Sequence, residues 1–289
     1  ALGVVVLSDK RSDAGFSASD EKLVSAIAAQ IGTTIQIEGL VRASVAQQRL
    51  AHEMQLAHEL QMRLLPATNV VSPEATCAAR VAPAQSVGGD FYHLFRLSGG
   101  RTGVLIGDVS SHGYQAALIM ALTMSAMAIH AQATVDPAVA VQALYTSLAD
   151  ELRQTEMFLS LCYAVIDPAA RTLRYTNTGH PHAFLMSADG AVHRLDATDP
   201  PLGLGGAAPR AATRPWAPTS DLLVLFTDGI SDARDATGAA LGETRVLDVV
   251  RARRHDAPTR VVDGVFSLLE GHMSGAAPAD DQAIVVLRS

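Results

Sequence analysis

Apolar residues recur along this chain with two different periods. Near the N-terminus, Leu23, Ile27, Ile31 and Ile35 stand four apart, which predicts one face of a helix. Ser19 is the expected N-cap, with Asp20 and Glu21 in the first turn, where the helix dipole favours acids. Val4 to Leu7 reads as a short strand. One strand and one helix cannot bury a core, so residues 1–37 are expected to be the end of a larger domain. A second helical stretch covers residues 38–65 and meets no proline until Pro66. Its best repeat, Leu50, Met54, Ala57, Gln61 and Leu64, is a thin and partly polar seam. Two readings stay open for it: a solvated linker helix, or a marginal coiled coil that pairs two chains as a homodimer.

From residue 67 onward the pattern is mixed. Strands are predicted at 77–82, 91–97, 103–108, 158–166, 171–177, 182–187, 191–195, 222–227 and 283–288, and helices at 113–132, 137–155, 243–253 and 258–273. Asp167-Pro168 marks a turn that makes 158–177 a hairpin. Strands follow one another without intervening helices, which favours antiparallel sheets and an α+β fold. Segment 196–221, rich in Pro, Gly and Ala, reads as loop, as does 275–279.

Composition narrows the function. The 289 residues are 48% hydrophobic and 18% charged, with a net charge of −7. This suits one large domain with an appendage or two modest domains. No Lys/Arg block is present to follow a phosphate backbone, so no nucleic-acid partner is expected. The longest apolar-rich stretch, Ala116 to Ala131, is interrupted by Thr123, Ser125 and His130 and reads as a buried helix rather than a membrane span. Cys77 and Cys162 lie far apart and offer neither a zinc spacing nor a disulfide framework. A cytoplasmic location without membrane contact fits these features.

The candidate chemistry lies in four short acidic pieces: Gly88-Gly89-Asp90, Gly107-Asp108-Val109, Thr227-Asp228-Gly229 and Asp280-Asp281. Three of them adjoin apolar runs that read as strands. An aspartate at a strand end is held rigidly, and a neighbouring glycine lets backbone, metal or substrate come close. Taken singly, each aspartate also suits a turn or a helix cap. Converging carboxylates would repel one another unless a divalent cation sat among them, which points to Mg²⁺ or Mn²⁺.

In order, Val87-Gly-Gly-Asp-Phe-Tyr92, Ile106-Gly-Asp-Val-Ser-Ser-His-Gly113, Asn177-Thr-Gly-His-Pro181, Phe226-Thr-Asp-Gly-Ile230 and Asp280-Asp-Gln resemble the metal-dependent serine/threonine protein phosphatases, the PPM family, in its bacterial SpoIIE-type branch. Glu59-Leu-Gln-Met-Arg-Leu-Leu-Pro66 looks like the helix preceding the domain in that branch, and residues 1–37 are similar to the end of a GAF sensory domain. The resemblance implies a linker helix at 38–66 and a phosphatase domain at 67–289, a β-sandwich of two antiparallel sheets flanked by helices.

The resemblance also implies two Mn²⁺ or Mg²⁺ ions. Asp108 would bridge both, with the Val109 carbonyl helping the second; Asp228 and Asp280 would hold the first, and Asp90 the second, directly or through water. Asp281 is the alternative to Asp280. Asp108 and Asp228 are the expected catalytic pair. Two cations about 3.5–4 Å apart activate a water for in-line attack on a phosphoester and neutralise its oxygens, with no covalent phosphoenzyme. The implied substrate is a phosphoserine or phosphothreonine on a small bacterial signalling protein, such as an anti-sigma-factor antagonist, with the upstream helix transmitting a signal.

Departures from the family pattern are Ser111 in place of glycine, Ala283 in place of a threonine, and no arginine just before Asp90, with Arg80 the nearest upstream. They keep a second reading open: a phosphatase-like module that binds a phosphorylated partner without cleaving it. His112 reads either as a contact to the leaving oxygen or as a polar loop residue. His180 reads as a structural hydrogen-bonding group.

Overall fold

Strict alternation along the strands assigns each side chain to one of two apolar layers. In β3 (Thr102–Val109), Val104 and Ile106 face one way while Leu105 and Val109 face the other. In β4 (Leu159–Asp167), Cys162, Ala164 and Ile166 oppose Leu161, Tyr163 and Val165. β9 (Leu222–Phe226) and β10 (Gln282–Arg288) divide in the same way, with Leu223, Leu225, Val285 and Leu287 on one face and Val224, Phe226, Ile284 and Val286 on the other. Strands covered on both faces read as near-continuous apolar runs.

The computed structural model describes residues 3–6, 8, 15–67, 75–111, 113–205 and 208–289. It divides into two units, Ala1–Leu56 and Ala57–Ser289. The second unit holds two antiparallel five-stranded sheets. One has the order β1 (Thr76–Ala82), β10, β9, β6 (His182–Met186), β7 (Val192–Arg194); the other has the order β2 (Phe91–Arg96), β3, β4, β5 (Thr172–Thr178), β8 (Ala212–Pro215). The sheets face each other across a core that includes Tyr92, Ile106, Tyr175, Leu225 and Val285. Helices α2 (Tyr114–Ala133) and α3 (Pro137–Thr155) cover the β3 sheet. Helices α5 (Glu243–Ala252) and α6 (Pro258–Met273) cover the β9 sheet, and the one-turn α4 (Asp228–Ser231) follows β9. The α+β sandwich flanked by helices is the architecture expected from the sequence.

Helix α1 (Ala18–Leu64) is continuous, so the two predicted N-terminal helical stretches are one element. No proline interrupts it, and Gly39 costs an exposed helix only about 1 kcal/mol. Its cap is Ser17 rather than Ser19: the Ser17 hydroxyl accepts from Asp20 N, and Asp20 Oδ2 accepts from Ser17 N at 2.8 Å. Leu23, Ile27, Ile31 and Ile35 are exposed. Residues 3–6 form no strand, and Leu7 lies outside the described residues. By length and composition, α1 and α2 would each be able to cross a membrane; α2 packs its buried face on sheet and helix.

The segment expected as loop, 196–221, contributes β8, which pairs with β5 at one sheet edge (Thr172↔Pro215). Its Ala-Thr-Arg-Pro sequence has no apolar alternation, and proline is tolerated in a strand at such an edge.

Deleting side-chain volume between the sheets leaves a cavity that the rigid strands cannot close. Leu225→Ala should cost about 2–5 kcal/mol in urea unfolding with an unchanged m-value. Leu122→Ala, on the exposed face of α2, should stay within about 0.5 kcal/mol of the wild type.

Candidate metal centre

Four strand ends meet at one end of the sandwich. Asp90 immediately precedes β2, Asp108 and Val109 end β3, Asp228 opens α4 just after β9, and Asp280 and Asp281 immediately precede β10. The ladders hold these ends level: Phe91 pairs with Gly107, and Ile284 pairs with Phe226. Thr227 joins the two sheets here. Its hydroxyl donates to Asp90 Oδ2 at 2.5 Å and accepts from Ala283 N at 2.9 Å. Ala283 carries no hydroxyl, and the hydroxyl at this loop comes from Thr227.

The carboxylates sense one another. Burial pushes Asp90 well above the usual carboxylate range, and the charges of Asp108, Asp281 and Asp228 push it further. Asp108 is raised to about 7, first by burial and then by Asp228, Asp280 and Asp281; a hydrogen bond from Asp90 acts against this rise. Asp228 is raised by burial, Asp280 and Asp232.

Among the described residues, no three His, Cys, Asp or Glu side chains already close around a point as a ligand set. The reason is visible in the hydrogen bonds: carboxylate oxygens are turned toward protein donors. Asp281 Oδ1 accepts from Ala84 N at 2.8 Å and its Oδ2 from Gly89 N at 2.7 Å, so both of its oxygens are engaged by backbone. Asp280 Oδ1 accepts only from the adjacent Asp281 N, and its side chain is exposed. The donor set nevertheless suits a hard cation, being all oxygen and electrostatically strained without positive charge. A Cβ on Gly89 would lie 2.8 Å from the Val109 carbonyl oxygen and 3.3 Å from Asp108 Oδ1. The missing side chain leaves a small cradle beside those two oxygens.

A polar chain braces α4. Ser231 Oγ lies 2.8 Å from His182 Nε2 and 3.2 Å from the Asp228 carbonyl oxygen, to which it donates. His182 Nδ1 lies 2.8 Å from Glu243 Oε2, Arg194 pairs with Glu243, and the His182 ring stacks on Phe226. Burial lowers His182, and the hydrogen bond and charge of Glu243 act against that shift.

Sequence reasoning missed this brace because its members are far apart in the chain. Thr227 carried a signal by standing within the Thr-Asp-Gly motif. His180 is fully buried, lowered to about 3 by burial, and joined through Nε2 to the Phe226 carbonyl at 3.0 Å, the structural role expected for it. Arg80 lies over the Phe266 ring at 4.0 Å and 3.8 Å from Glu270, so it packs on α6. Ser111 adopts φ +79°, a left-handed conformation that favours glycine. His112 lies outside the described residues.

Protein IcfG of Synechocystis is 27% identical over 278 residues, covering 87% of this chain and 44% of the relative. Phosphoserine phosphatase RsbP of Bacillus subtilis is 28% identical over 186 residues, covering 62% of this chain and 45% of the relative. The chain thus spans under half the length of these two relatives. The solved SiaA-PP2C domain of Pseudomonas aeruginosa superposes with a TM-score of 0.74 at 22% identity, covering 84% of this chain and 98% of that one. The family described as Stage II sporulation protein E (SpoIIE) matches residues 98–289. With that match spanning well over half of its length and the fold shared with a PP2C domain, the chain belongs to the SpoIIE family.

Proposed function

We propose that this protein hydrolyses phosphoserine or phosphothreonine on a bacterial signalling protein, in a reaction dependent on two Mn²⁺ or Mg²⁺ ions. The observation that carries the reading is the gathering of Asp90, Asp108, Asp228 and Asp280 at one sandwich end, with carboxyls driven upward by burial and mutual charge. Asp108 would serve both sides of the centre; Asp228 and Asp280 would hold one side, and Asp90 with the Val109 carbonyl the other. Asp281, with both oxygens engaged by backbone, would shape the loop rather than bind the cation. When bound, the cations supply Lewis acidity for water and positive charge for the phosphoryl oxygens. Thr227 holds the Asp90 carboxyl in place, and the Ser231–His182–Glu243 brace holds the turn that carries Asp228. Neither thiol is a nucleophile: burial pushes Cys77 and Cys162 each to about 12.

The wider setting is part of the same proposal. Residues 1–37 would be the end of a GAF-like sensory domain, 38–66 a linker helix and 67–289 the phosphatase domain, acting in the cytoplasm on an anti-sigma-factor antagonist. The exposed apolar residues Leu40, Val41, Val45 and Leu56 of α1 favour pairing of two copies through residues 38–65. Release of phosphate from a phosphorylated partner, present with Mn²⁺ and absent in excess chelator, is the direct test.

Asp108→Asn removes one of the repelling charges. It should abolish turnover and the Mn²⁺-induced gain in Tm, while the metal-free variant melts higher than the metal-free wild type. Full turnover in this variant would overturn the assignment.

The pH dependence of the metal-free protein follows from the same groups. A carboxyl raised in the fold stabilises it fully below its unfolded value, about 4, and loses that stabilisation as pH rises through its folded value, about 7 for Asp108. Metal-free Tm should therefore fall between about pH 4 and 7. The Tm gain on adding Mn²⁺ should grow over the same interval, as the cation no longer competes with protons.

Ser111→Gly relieves a left-handed backbone conformation at a residue with a Cβ, three positions after Asp108. It should stabilise the fold by about 1 kcal/mol, read from the urea midpoint, without loss of turnover.

A further inference from the structure

Gln61 is the one buried side chain among the described residues of α1, at 6% exposure. Its amide makes two hydrogen bonds to a single residue. Oε1 accepts from Gly88 N at 3.1 Å, and Nε2 donates to the Gly88 carbonyl at 2.6 Å. Nε2 also lies 3.1 Å from Met120 Sδ on α2. This is the pairing a neighbouring strand would offer, supplied here by a side chain.

The pairing matters because residues 83–90 belong to neither sheet. A buried backbone must find partners, and this segment finds them in two side chains. Ala84 N and Gly89 N donate to Asp281, and both groups of Gly88 go to Gln61. Gly88 is pressed between the two holders: a Cβ there would lie 2.0 Å from Asp281 Oδ2. Asp90 is two residues further on, and there is too little chain between them to absorb a shift of Gly88.

We propose that Gln61 is a positioning residue for Asp90. Its amide takes the place of a missing strand, so the placement of the last turns of α1 sets where the Asp90 carboxylate lies and thereby tunes the affinity of the Asp90 side of the centre for a divalent cation. The inference rests on the phosphatase reading above. It explains a polar residue within an otherwise apolar repeat: only an amide of this length offers both a donor and an acceptor to Gly88. Glutamate keeps the acceptor and loses the donor; leucine loses both.

A second tie allows a control. The Tyr92 hydroxyl donates to the Pro66 carbonyl at 2.9 Å, fastening the chain just beyond α1 to β2 without touching Gly88. The test uses the full chain and its Gln61→Leu, Gln61→Glu and Tyr92→Phe variants. Mn²⁺ is titrated while Tm is followed, and kcat and KM for an aryl phosphate are then measured at saturating Mn²⁺. Gln61→Leu should raise the half-saturating Mn²⁺ concentration by about tenfold or more, with kcat largely restored at saturation. Gln61→Glu should fall between it and the wild type, and serves alone should the leucine variant fail to fold. Tyr92→Phe should lower Tm and leave the Mn²⁺ midpoint unchanged.

A folded Gln61 variant with the wild-type Mn²⁺ midpoint overturns the proposal, as does a Tyr92→Phe midpoint shifted equally. A wild type with neither a Mn²⁺-induced Tm gain nor hydrolysis overturns the phosphatase reading itself, and this inference with it.

Discussion

Carboxylates that repel one another are held together at one end of this sandwich by apolar packing elsewhere. The strands that carry them are covered on both faces, so their ends cannot drift apart without opening a core. Burial of Leu225, Val285, Ile106 and Tyr175 between the sheets is what opposes the repulsion. The cost appears locally as the raised carboxyls of Asp90, Asp108 and Asp228. A site of this kind is stabilised by what it binds, because positive charge removes the repulsion that the fold otherwise carries.

The parts of the site are held by different means, and this separates their roles. Asp108 belongs to a ladder and moves only with its sheet. Asp228 sits on a single helical turn, fastened by Ser231, His182 and Glu243. Asp90 ends an irregular segment whose backbone is satisfied by Gln61 and Asp281. The position of Asp90 therefore depends on side chains from a helix and from a distant strand end.

The N-terminal helix shows a different balance. Most of its apolar residues are exposed, among them Leu23, Ile27, Ile31, Leu40 and Val45. Helical propensity alone does not account for such a surface, since most helical stability in proteins comes from packing an apolar face. Gln61 is the exception, turned inward by hydrogen bonds rather than by burial of apolar surface.

Much of this was legible in the chain. Apolar runs and turn signals marked nine of the ten strands among the described residues, and proline and glycine punctuation marked helix ends such as Pro137 and Pro258. The Gly-Asp and Asp-Gly pieces marked the acidic residues because each stands where a strand stops, and their order carried the family resemblance. What escaped was set by tertiary context. β8 has no apolar pattern and exists because the edge of β5 offers it a ladder. Leu23 and its neighbours were periodic, but periodicity does not state what covers a face. Asp280 and Asp281 are chemically identical in sequence, and only the fold engages both oxygens of one with backbone. Gln61 read as a flaw in a seam because a side chain's partner 27 residues away cannot be inferred from spacing. Local pattern determines which residues face inward; only the assembled chain decides which polar groups meet there, because hydrogen bonds depend on positions in space rather than on order in sequence.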